Sequence, residues 1–445
     1  MKHISRRRRQ MVLLPLAALS LVFAPAPPAA AHPEHIQQIT DMILADRQPA
    51  TFTARIGPAQ CENGFAGPFP CRNVDLQSFV PLAELGGATG NDIWGWTDPA
   101  TGKEYAIMAT SNGTAFVDVS TPTDPVVVGT LPTHSGASIW RDVKVFKDHA
   151  FIVADLAENH GMQVFDLTRL RNVLVTPTVF TEDAHYNGFG DSHNIGINEE
   201  TGFAYAVGTF DNVLFRNCGG GLHMMDVNDP KNPTFAGCFS EDGYTHDVEC
   251  VIYGGPDRRH RGKEICFASN EDTLTIVDVT TKAAPVMLSR TTYPGVAYTH
   301  QGWLTDNERT FVLDDELDEQ TFGHNTRTRF FDVSDLDAPF LDFVYDGETS
   351  AIDHNLYIIG NLVYEANYRA GLRIIQTDIK KDRATEVAFF DVYPPDDEPE
   401  FNGSWSNYPF FASGNVVVSG IEEGLFVVRP TLPAGGKGGG RGGPN

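Results

Sequence analysis

Positively charged residues are scarce relative to negatively charged ones in this 445-residue chain. It carries 33 Lys and Arg against 58 Asp and Glu, which gives a formal net charge of −25 at pH 7. Nucleic acids and anionic membrane surfaces are bound through basic patches, so this composition argues against both as partners. The one strongly basic run, residues 6–9, lies in a segment that we expect to be removed. We expect a monomer with an extracellular ligand or protein as its partner.

Long hydrophobic runs are also missing. A membrane-spanning helix needs about 20 apolar residues, and no stretch after residue 31 reaches that length. Residues 1–31 combine a basic start, a short apolar run and small residues at 29–31, which is typical of a signal peptide. The basic start loosely resembles a twin-arginine (Tat) signal, and the Sec route fits at least as well. We therefore expect secretion to an extracellular or periplasmic location.

Cysteines are few and lack the CxxC spacing that is typical of a zinc site. There are six of them, an even number, and in an exported chain this predicts disulfide bonds. The first two bracket a Gly- and Pro-rich loop, and each later pair would link neighbouring strands of the repeat described next. The predicted pairs are Cys61–Cys71, Cys218–Cys238 and Cys250–Cys266.

Helical periodicity is weak, whereas one short apolar phrase recurs seven times. Its first copy is Gly113-Thr-Ala-Phe-Val-Asp118-Val, and a polar turn with Pro follows most copies. A second phrase precedes each copy, begins at a polar residue and returns every 50–54 residues. Another β-rich run separates the two phrases, so each repeat contains four short strands. The aligned polar residues are Asp92, Asp142, Asn194, Asp247, Gln301, Asn355 and Asn407.

Four short strands repeated radially describe the blade of a β-propeller. The last repeat, from Asn407 to Arg429, has only three strands, while Leu76 to Leu85 reads as a strand without partners. Pairing the two closes a ring and removes exposed sheet edges. The sequence therefore predicts an all-β fold, a seven-bladed β-propeller of four-stranded blades whose last blade is closed by an N-terminal strand. The predicted divisions are a signal peptide at 1–31, an N-terminal extension with a disulfide loop at 32–72, the propeller at 73–430 and a disordered Gly-rich tail at 431–445.

Two sets of side chains have a structural interpretation. Aspartate ends most copies of the recurring phrase, where its carboxylate can accept hydrogen bonds from the amides of the following turn. Tryptophans cluster near the blade starts, where packing beneath the rim is favoured over stacking on a planar ligand such as a sugar. The aspartates are Asp118, Asp166, Asp226, Asp278 and Asp332, and the tryptophans are Trp94, Trp96, Trp140 and Trp405.

The phrases resemble the LVIVD repeat, and the layout is similar to the choice-of-anchor B family of secreted bacterial propellers. The resemblance runs from Cys61 to Arg429 and includes the segment Asn73-Val74-Asp75-Leu76. It implies a secreted propeller and carries no catalytic residues across. The family is named for varied C-terminal anchors, and here no sortase-type motif or hydrophobic tail follows Arg429, so we expect free secretion.

Four consecutive blades carry histidine one residue before the aligned polar position. In propellers these positions and the loop after the second strand meet at one face, around a central funnel. Neutral imidazole is a common metal ligand, so converging histidines could hold Zn, Cu, Mn or Fe. The loops add carboxylates, of which Glu316 and Glu271 are candidates for a general acid or base. The candidate metal ligands are His193, His246, His300 and His354.

A structural role competes with this metal site. Such histidines can bond the backbone of the neighbouring blade, and alternation along a strand leaves open whether they or the polar residues face the funnel. Acidic loops such as Asp396-Asp397-Glu398 could hold Ca²⁺, although none has the spacing of an EF-hand. Nucleophile elbows, P-loops and dinucleotide fingerprints are absent from the sequence. We predict a binding or interaction module that acts through its funnel face and can hold a His-bound metal; the alternative is a metal-dependent hydrolase, lyase or copper-type oxidoreductase.

Overall fold

The structure, a computed structural model, describes residues 33–211 and 217–432. The predicted signal peptide and the tail from residue 433 onward lie outside the described residues. Within those limits the strands form seven sheets, each built on four antiparallel strands. This confirms the all-β, seven-bladed propeller expected from the repeats.

An N-terminal segment precedes the first blade. The sequence predicts a strand from Leu76 to Leu85 in this segment, and the C-terminal end of that prediction is wrong. The strand ends at Pro81, which lacks an N–H for the ladder, and residues 82–85 turn into a short helix. The elements are α1 (Pro33–Asp46), β1 (Phe65–Ala66), β2 (Phe69–Arg72), β3 (Val74–Pro81) and α2 (Leu82–Leu85).

The first four blades follow one another along the chain. One extra strand, β11 (Thr178–Val179), pairs in parallel with the outermost strand of blade 1. Blade 1 holds β4 (Gly90–Thr97), β5 (Glu104–Thr110), β6 (Gly113–Asp118) and β7 (Val126–Pro132); blade 2 holds β8 (Trp140–Phe146), β9 (His149–Asp155), β10 (Met162–Asp166) and, after β11 (Thr178–Val179), β12 (Ala184–Tyr186); blade 3 holds β13 (Asn194–Asn198), β14 (Phe203–Val207), β15 (Leu222–Asp226) and β16 (Thr234–Phe239); blade 4 holds β17 (Asp247–Ile252), β18 (Glu264–Ser269), β19 (Leu274–Asp278) and β20 (Val286–Thr291).

The remaining three blades complete the ring, and short helices interrupt the loops. Blade 5 holds β21 (Thr299–Leu304), β22 (Thr310–Asp315), helix α3 (Asp318–Phe322), β23 (Arg327–Asp332) and β24 (Phe340–Asp346); blade 6 holds β25 (Leu356–Ile359), β26 (Leu362–Asn367), β27 (Gly371–Asp378) and β28 (Arg383–Phe390); blade 7 holds β29 (Ser404–Tyr408), β30 (Val416–Gly420) and β31 (Gly424–Pro430). Single 3-10 turns lie at Leu167–Asn172, Asn217–Gly220 and Ile379–Lys381.

Strand β3 closes the ring. It pairs antiparallel with β31 along its whole length, from Val74 opposite Pro430 to Pro81 opposite Gly424, and supplies the fourth strand of blade 7. The innermost strand of each blade contacts that of the next, and β29 contacts β4. The circle is therefore closed by backbone hydrogen bonds between the two ends of the chain. No sheet edge opens at this junction.

The recurring phrase forms the third strand of each blade and ends in the predicted turn. The carboxylates of Asp118, Asp166 and Asp332 accept hydrogen bonds from backbone amides two residues later, at 3.0, 3.1 and 2.8 Å. The same contact occurs at Asp226 and Asp278. These bonds confirm that the aspartates cap the turns.

Glycine opens the phrase where the backbone needs it. Gly161 and Gly371 have φ angles of 64° and 71°, and a Cβ at either position would collide with a carbonyl of the adjacent strand. Only glycine adopts this conformation at little cost, so the repeated Gly marks a sharp entry into the strand.

All three predicted disulfides are present, namely Cys61–Cys71, Cys218–Cys238 and Cys250–Cys266. The last joins the neighbouring strands β17 and β18, as expected, whereas Cys218 lies in a 3-10 turn beside its strand. Disulfides persist in oxidising compartments, so the bonds are consistent with an extracellular or periplasmic protein. Among the described residues, no helix is long and apolar enough to cross a bilayer.

Candidate metal centre

The predicted histidines lie at one level of the axial channel. Each stands at or just before the start of an innermost strand, and all four side chains are buried. The ring centroids of successive histidines are 4.4, 4.1 and 4.3 Å apart from His193 to His354. We call His193, His246, His300 and His354 the histidine layer.

Two tryptophans complete this layer into a closed belt. Trp140 lies 5.3 Å from His193, Trp405 lies 5.0 Å from His354, and the two indoles are 5.4 Å apart, all measured between ring centroids. Blades 1, 2 and 7 lack a histidine at this register, and the tryptophans fill the space that would otherwise be left. The packing interpretation of these two tryptophans is therefore confirmed.

Hydrogen bonds fix the tautomer of the rings. Nδ1 of His246 donates to the carbonyl of His300, and Nδ1 of His354 donates to the carbonyl of Trp405. Nδ1 of His300 lies 3.1 Å from Oδ1 of Asp314, an oxygen that also accepts from a backbone amide. Because these oxygens accept, Nδ1 carries the proton and a neutral ring keeps its lone pair on Nε2.

The Nε2 atoms of two rings approach one carboxylate. Nε2 of His300 lies 3.9 Å from Oε2 of Glu316, and Nε2 of His354 lies 3.7 Å from Oε1. The Tyr368 hydroxyl donates to the same Oε1 at 2.6 Å and holds the carboxylate in place. If one ligand atom is taken from each of His300, Glu316 and His354, the three atoms lie within 4.8 Å of one another. A ring nitrogen that ligates a metal characteristically has its other nitrogen bonded in this way.

Burial sets the charge state of this centre. It lowers the pKa of His354 to about 3 and lowers the pKa of His300 well below its usual value, where the neighbouring histidines add to the effect. Both rings are therefore neutral at pH 7, the form that binds metals. Burial and the charge of Glu316 raise the pKa of Tyr368 well above 10, so its hydroxyl remains a donor.

The other predicted residues lie around this centre. His193 bonds Asp155 through Nδ1 at 3.1 Å and, with His246, belongs to the belt but not to the three-residue group. The backbone of Glu271 forms a β-bridge with Thr299. Burial raises the pKa of Tyr298 well above its usual value, and the charge of Glu271 adds to this effect. Of the two predicted carboxylates, Glu316 thus faces the histidines directly, whereas Glu271 lies in the loop between β18 and β19 and pairs with Thr299, the residue before His300.

Helix α1 covers the layer. Ile39 and Ile43 are buried in a cluster that contains Trp140, Trp405 and Tyr368. The indole Nε1 of Trp140 donates to the Thr40 hydroxyl at 2.8 Å. The funnel is therefore closed by the N-terminal extension, a feature that we did not predict. An apolar residue at positions 36, 39 and 43 is the helical spacing that would have indicated it.

The residue after each histidine position serves the joints between blades. Asp142 accepts from the amide of Ile195 at 2.7 Å, and Gln301 accepts from the amide of Leu356 at 2.9 Å, each in the next blade. We call these residues the polar layer, and its members are Asp92, Asp142, Asn194, Asp247, Gln301, Asn355 and Asn407. The polar layer thus lies directly beside the histidine layer along the innermost strands.

A cavity of about 270 Å³ opens at the far ends of the innermost strands. Trp94, Trp303 and Tyr357 line it, with centroids 5.5 and 5.1 Å apart around Tyr357, and Lys144 lies 4.7 Å from the centroid of Trp94. Burial raises the pKa of Asp247, also in the lining, to about 7. Aromatic walls with a few polar groups are typical of a small-ligand site.

Sequence comparison identifies the repeat. The family model described as the LVIVD repeat matches residues 102–133, which include the whole of β5, β6 and β7. No curated protein matches the chain. The match is consistent with a repeat propeller that acts as a binding or interaction module.

Solved structures resemble the chain in fold alone. Hydrazine synthase from Kuenenia stuttgartiensis is 10% identical with a TM-score of 0.51, over 77% of this chain and 95% of that one. A protein from Lactobacillus plantarum is 13% identical with a TM-score of 0.47, over 70% and 86%. The β-propeller domain of Cps50 (Swd1) from Myceliophteria thermophila is 11% identical with a TM-score of 0.46, over 77% and 96%.

Proposed function

We propose that this chain is an exported binding protein that holds a divalent transition metal in its axial channel through His300, His354 and Glu316. One observation carries the proposal: both imidazoles have Nδ1 occupied by an acceptor and direct Nε2 toward the same buried carboxylate. A purely structural histidine needs no such convergence. A hydrogen bond from Nδ1, which joins two blades at His354 and stays within one blade at His300, is compatible with a metal on Nε2, so the two interpretations of the histidines do not exclude each other.

The donor set favours a transition metal over calcium. Two imidazoles and one carboxylate suit Zn, Cu, Mn or Fe, whereas Ca²⁺ takes oxygen ligands. Ligands at 2.0–2.1 Å from a tetrahedral Zn²⁺ lie about 3.4 Å apart. The separations of 3.7 and 3.9 Å, which run to the two different oxygens of Glu316, exceed this value by a few tenths of an ångström, and one ligand atom from each residue lies within 4.8 Å of the others. Rotation of the side chains supplies a movement of this size.

The propeller supplies a rigid frame for recognition. Its seven blades form a closed ring, and the aromatic cavity near Tyr357 offers a concave surface at the end of the channel opposite helix α1. The disulfides and the signal-like residues 1–31 support export, and the similarity to secreted propellers points the same way. The metal would then act as a structural or ligand-coordinating element of an extracellular module.

A metal-dependent enzyme is the second candidate. In its favour, three protein ligands leave a coordination position for water or substrate, and the Tyr368 hydroxyl lies beside Glu316. In this case Glu316 would be a ligand, and Glu271 would remain the candidate acid or base. A substrate would have to enter past helix α1, because Ile39 and Ile43 cover the histidine layer.

Elemental analysis of the purified, disulfide-bonded chain tests the proposal. After incubation with Zn²⁺, Cu²⁺, Mn²⁺ or Fe²⁺ and removal of excess, the wild type should retain one ion per chain. The His300→Ala/His354→Ala variant should lose it, because one carboxylate alone cannot hold the ion. His149→Ala, in a half-buried histidine outside the channel, should behave as wild type.

A folded wild-type chain that retains none of these ions would overturn the proposal. Equal retention in the double variant would place the metal elsewhere and would do the same. The two candidate functions separate by the fate of helix α1. If bound substrate analogues raise hydrogen exchange in α1, the enzyme is favoured, whereas exchange that stays unchanged with metal favours the binding module.

A further inference from the structure

A second group of ionisable side chains lies beside helix α3, outside the histidine layer. Asp318 and Glu319 begin the helix, and His324 follows it. One ligand atom from each of the three lies within 4.8 Å of the others. Asp318 and Glu319 are buried, with 0% and 1% exposure. The group occupies the loop between the second and third strands of blade 5.

Several oxygens of this group lack any hydrogen-bond donor. Both carboxylate oxygens of Glu319 and Oδ1 of Asp318 are buried without a partner. Asp353, in the segment that leads into blade 6, is 1% exposed and has neither oxygen bonded. Buried carboxylates are otherwise almost always paired or bound to a metal. This number of oxygens without a hydrogen-bond donor therefore points to a cation-binding site.

The protein supplies one positive charge to this group. Arg329 forms a buried ion pair with Asp318 and stacks over Tyr293 at 5.1 Å from the ring centroid. Within residues 33–211 and 217–432, Glu319 and Asp353 form no ion pair with a Lys or Arg. Burial and the charge of Asp318 raise the pKa of Glu319 to about 10, while burial and then the charge of Glu319 raise that of Asp353 well above its usual range. The two carboxyl groups are therefore near enough to repel each other when both are ionised.

We propose that Asp318, Glu319 and Asp353 form a Ca²⁺ site that is distinct from the centre at His300 and His354. Ca²⁺ takes six to eight oxygen ligands in flexible geometry, and carboxylates from two loops with added waters meet this need. The two sites differ in chemistry, because one offers imidazole nitrogens and the other offers carboxylate oxygens. His324 offers a nitrogen instead: its ring is half-buried, and Nε2 lies 3.5 Å from Oδ2 of Asp318.

Such an ion would lock the joint between blades 5 and 6. It would connect helix α3 to the segment before β25, where Asp353 lies. The side chain of Gln320 already donates to the carbonyl of Pro399 at 2.8 Å, so α3 also contacts the loop before blade 7. Leu317, just before α3, packs on the cluster that contains Ile39 and Ile43 of helix α1. The ion would thus stabilise the rim on which the covering helix rests.

Calorimetric titration of the chain after EDTA treatment tests the site with Ca²⁺ alone. Wild type should bind one Ca²⁺ per chain, and its melting temperature should rise with Ca²⁺. Glu319→Gln and Asp353→Asn keep the side-chain shape and should each weaken binding at least about tenfold, since each removes a charged ligand. Glu398→Gln makes the same chemical change in the exposed acidic loop and should bind as wild type.

Two further measurements keep this site separate from the first. His300→Ala/His354→Ala should retain Ca²⁺, and Glu319→Gln should retain the transition metal. A wild-type chain that shows neither Ca²⁺ heat nor a rise in melting temperature would overturn the proposal. Binding that survives in both Glu319→Gln and Asp353→Asn, or that is lost in Glu398→Gln, would place the ion elsewhere and refute it. Binding of Mn²⁺ without Ca²⁺ would refute the oxygen-selective site.

Discussion

The histidine layer and the polar layer are neighbours on the same innermost strands, yet they serve different ends. In the polar layer, side chains such as Asp142 and Gln301 accept hydrogen bonds from amides of the next blade. In the histidine layer, Nδ1 of His246 and Nδ1 of His354 donate to carbonyls of the next blade, whereas Nδ1 of His300 bonds Asp314 of its own blade. Nε2 of His300 and Nε2 of His354 lie near a shared carboxylate. The polar layer therefore joins neighbouring blades, and the histidine layer keeps the Nε2 lone pairs of His300 and His354 available for chemistry.

The difference teaches how a repeat acquires a site. All seven blades carry a polar side chain in the polar layer. Histidine is kept only in blades 3 to 6, and Trp140 and Trp405 close the belt on the other side. The ring thus departs from sevenfold symmetry at this level, and the candidate metal centre lies at the same level.

The largest effect should follow from removing the positive charge of Lys144, which lies beside two carboxylates of the polar layer. The ammonium of Lys144 lies 2.6 Å from Asp142 and 3.5 Å from Asp92, and all three side chains are largely buried. Lys144→Met should lower the free energy of unfolding by about 3–5 kcal/mol, because it leaves two buried carboxylates without a cation. Urea denaturation at pH 7 measures the loss. Lys380→Met, at an exposed lysine, is the control and should change stability by less than about 0.5 kcal/mol.

The same variant has a predicted pH dependence. Burial raises the pKa of Asp92 well above its usual value, and loss of Lys144 raises it further. Folded Asp92 then holds a proton that the unfolded chain has released, so stability rises as pH falls from 7 toward the unfolded pKa near 4. Lys144→Met should therefore regain stability relative to wild type at pH 5. A deficit that stays constant between pH 7 and pH 5 would contradict this account.

A smaller effect should follow from one joint of the polar layer. Gln301→Ala leaves the buried amide of Leu356 without its acceptor and should cost about 1–3 kcal/mol. Metal content should stay at the wild-type level, since the ligand atoms belong to the layer above. Denaturation and elemental analysis of one preparation check both parts, with the exposed Gln48→Ala as control. Loss of metal at unchanged stability would show that the two layers do not divide their roles in this way.

The smallest effect on stability should come from the partner of His300. Asp314→Asn keeps an acceptor oxygen near Nδ1 but removes the ionisable carboxyl group. We expect metal affinity to fall about tenfold while the melting temperature stays near that of wild type. Competition with a chromophoric chelator measures the affinity, and the exposed Asp382→Asn is the control. An affinity equal to wild type would mean that Asp314 does not position the ring.

Much of the fold was predictable because the repeat is written in local chemistry. The alternating apolar phrase, its terminal Asp and its leading Gly all act within one blade, and the pairing of β3 with β31 followed from one missing strand and one spare. The exact end of β3 was not predictable from apolar character, because Leu82 and Leu85 are buried as a helix instead. Pro81 decides that boundary.

The candidate site was predictable only in part. Register alone placed the four histidines at one level, since every blade starts at the same height. Register could not say which ring nitrogens are bonded or that Tyr368 holds Glu316, because those contacts join different blades. The oxygens of Glu319 and Asp353 had no sequence signal at all. They come together from separate loops, and only burial shows that they lack donors.

The amino-acid sequence by itself determined the number of blades, the disulfide pairs and the shared level of the histidines, since these depend on spacing and local strand chemistry. The tertiary structure decided which histidines converge on a carboxylate and that helix α1 covers them. The reason is physical: hydrogen bonds between blades and burial beneath a distant helix depend on how remote segments approach one another. No local pattern encodes that approach.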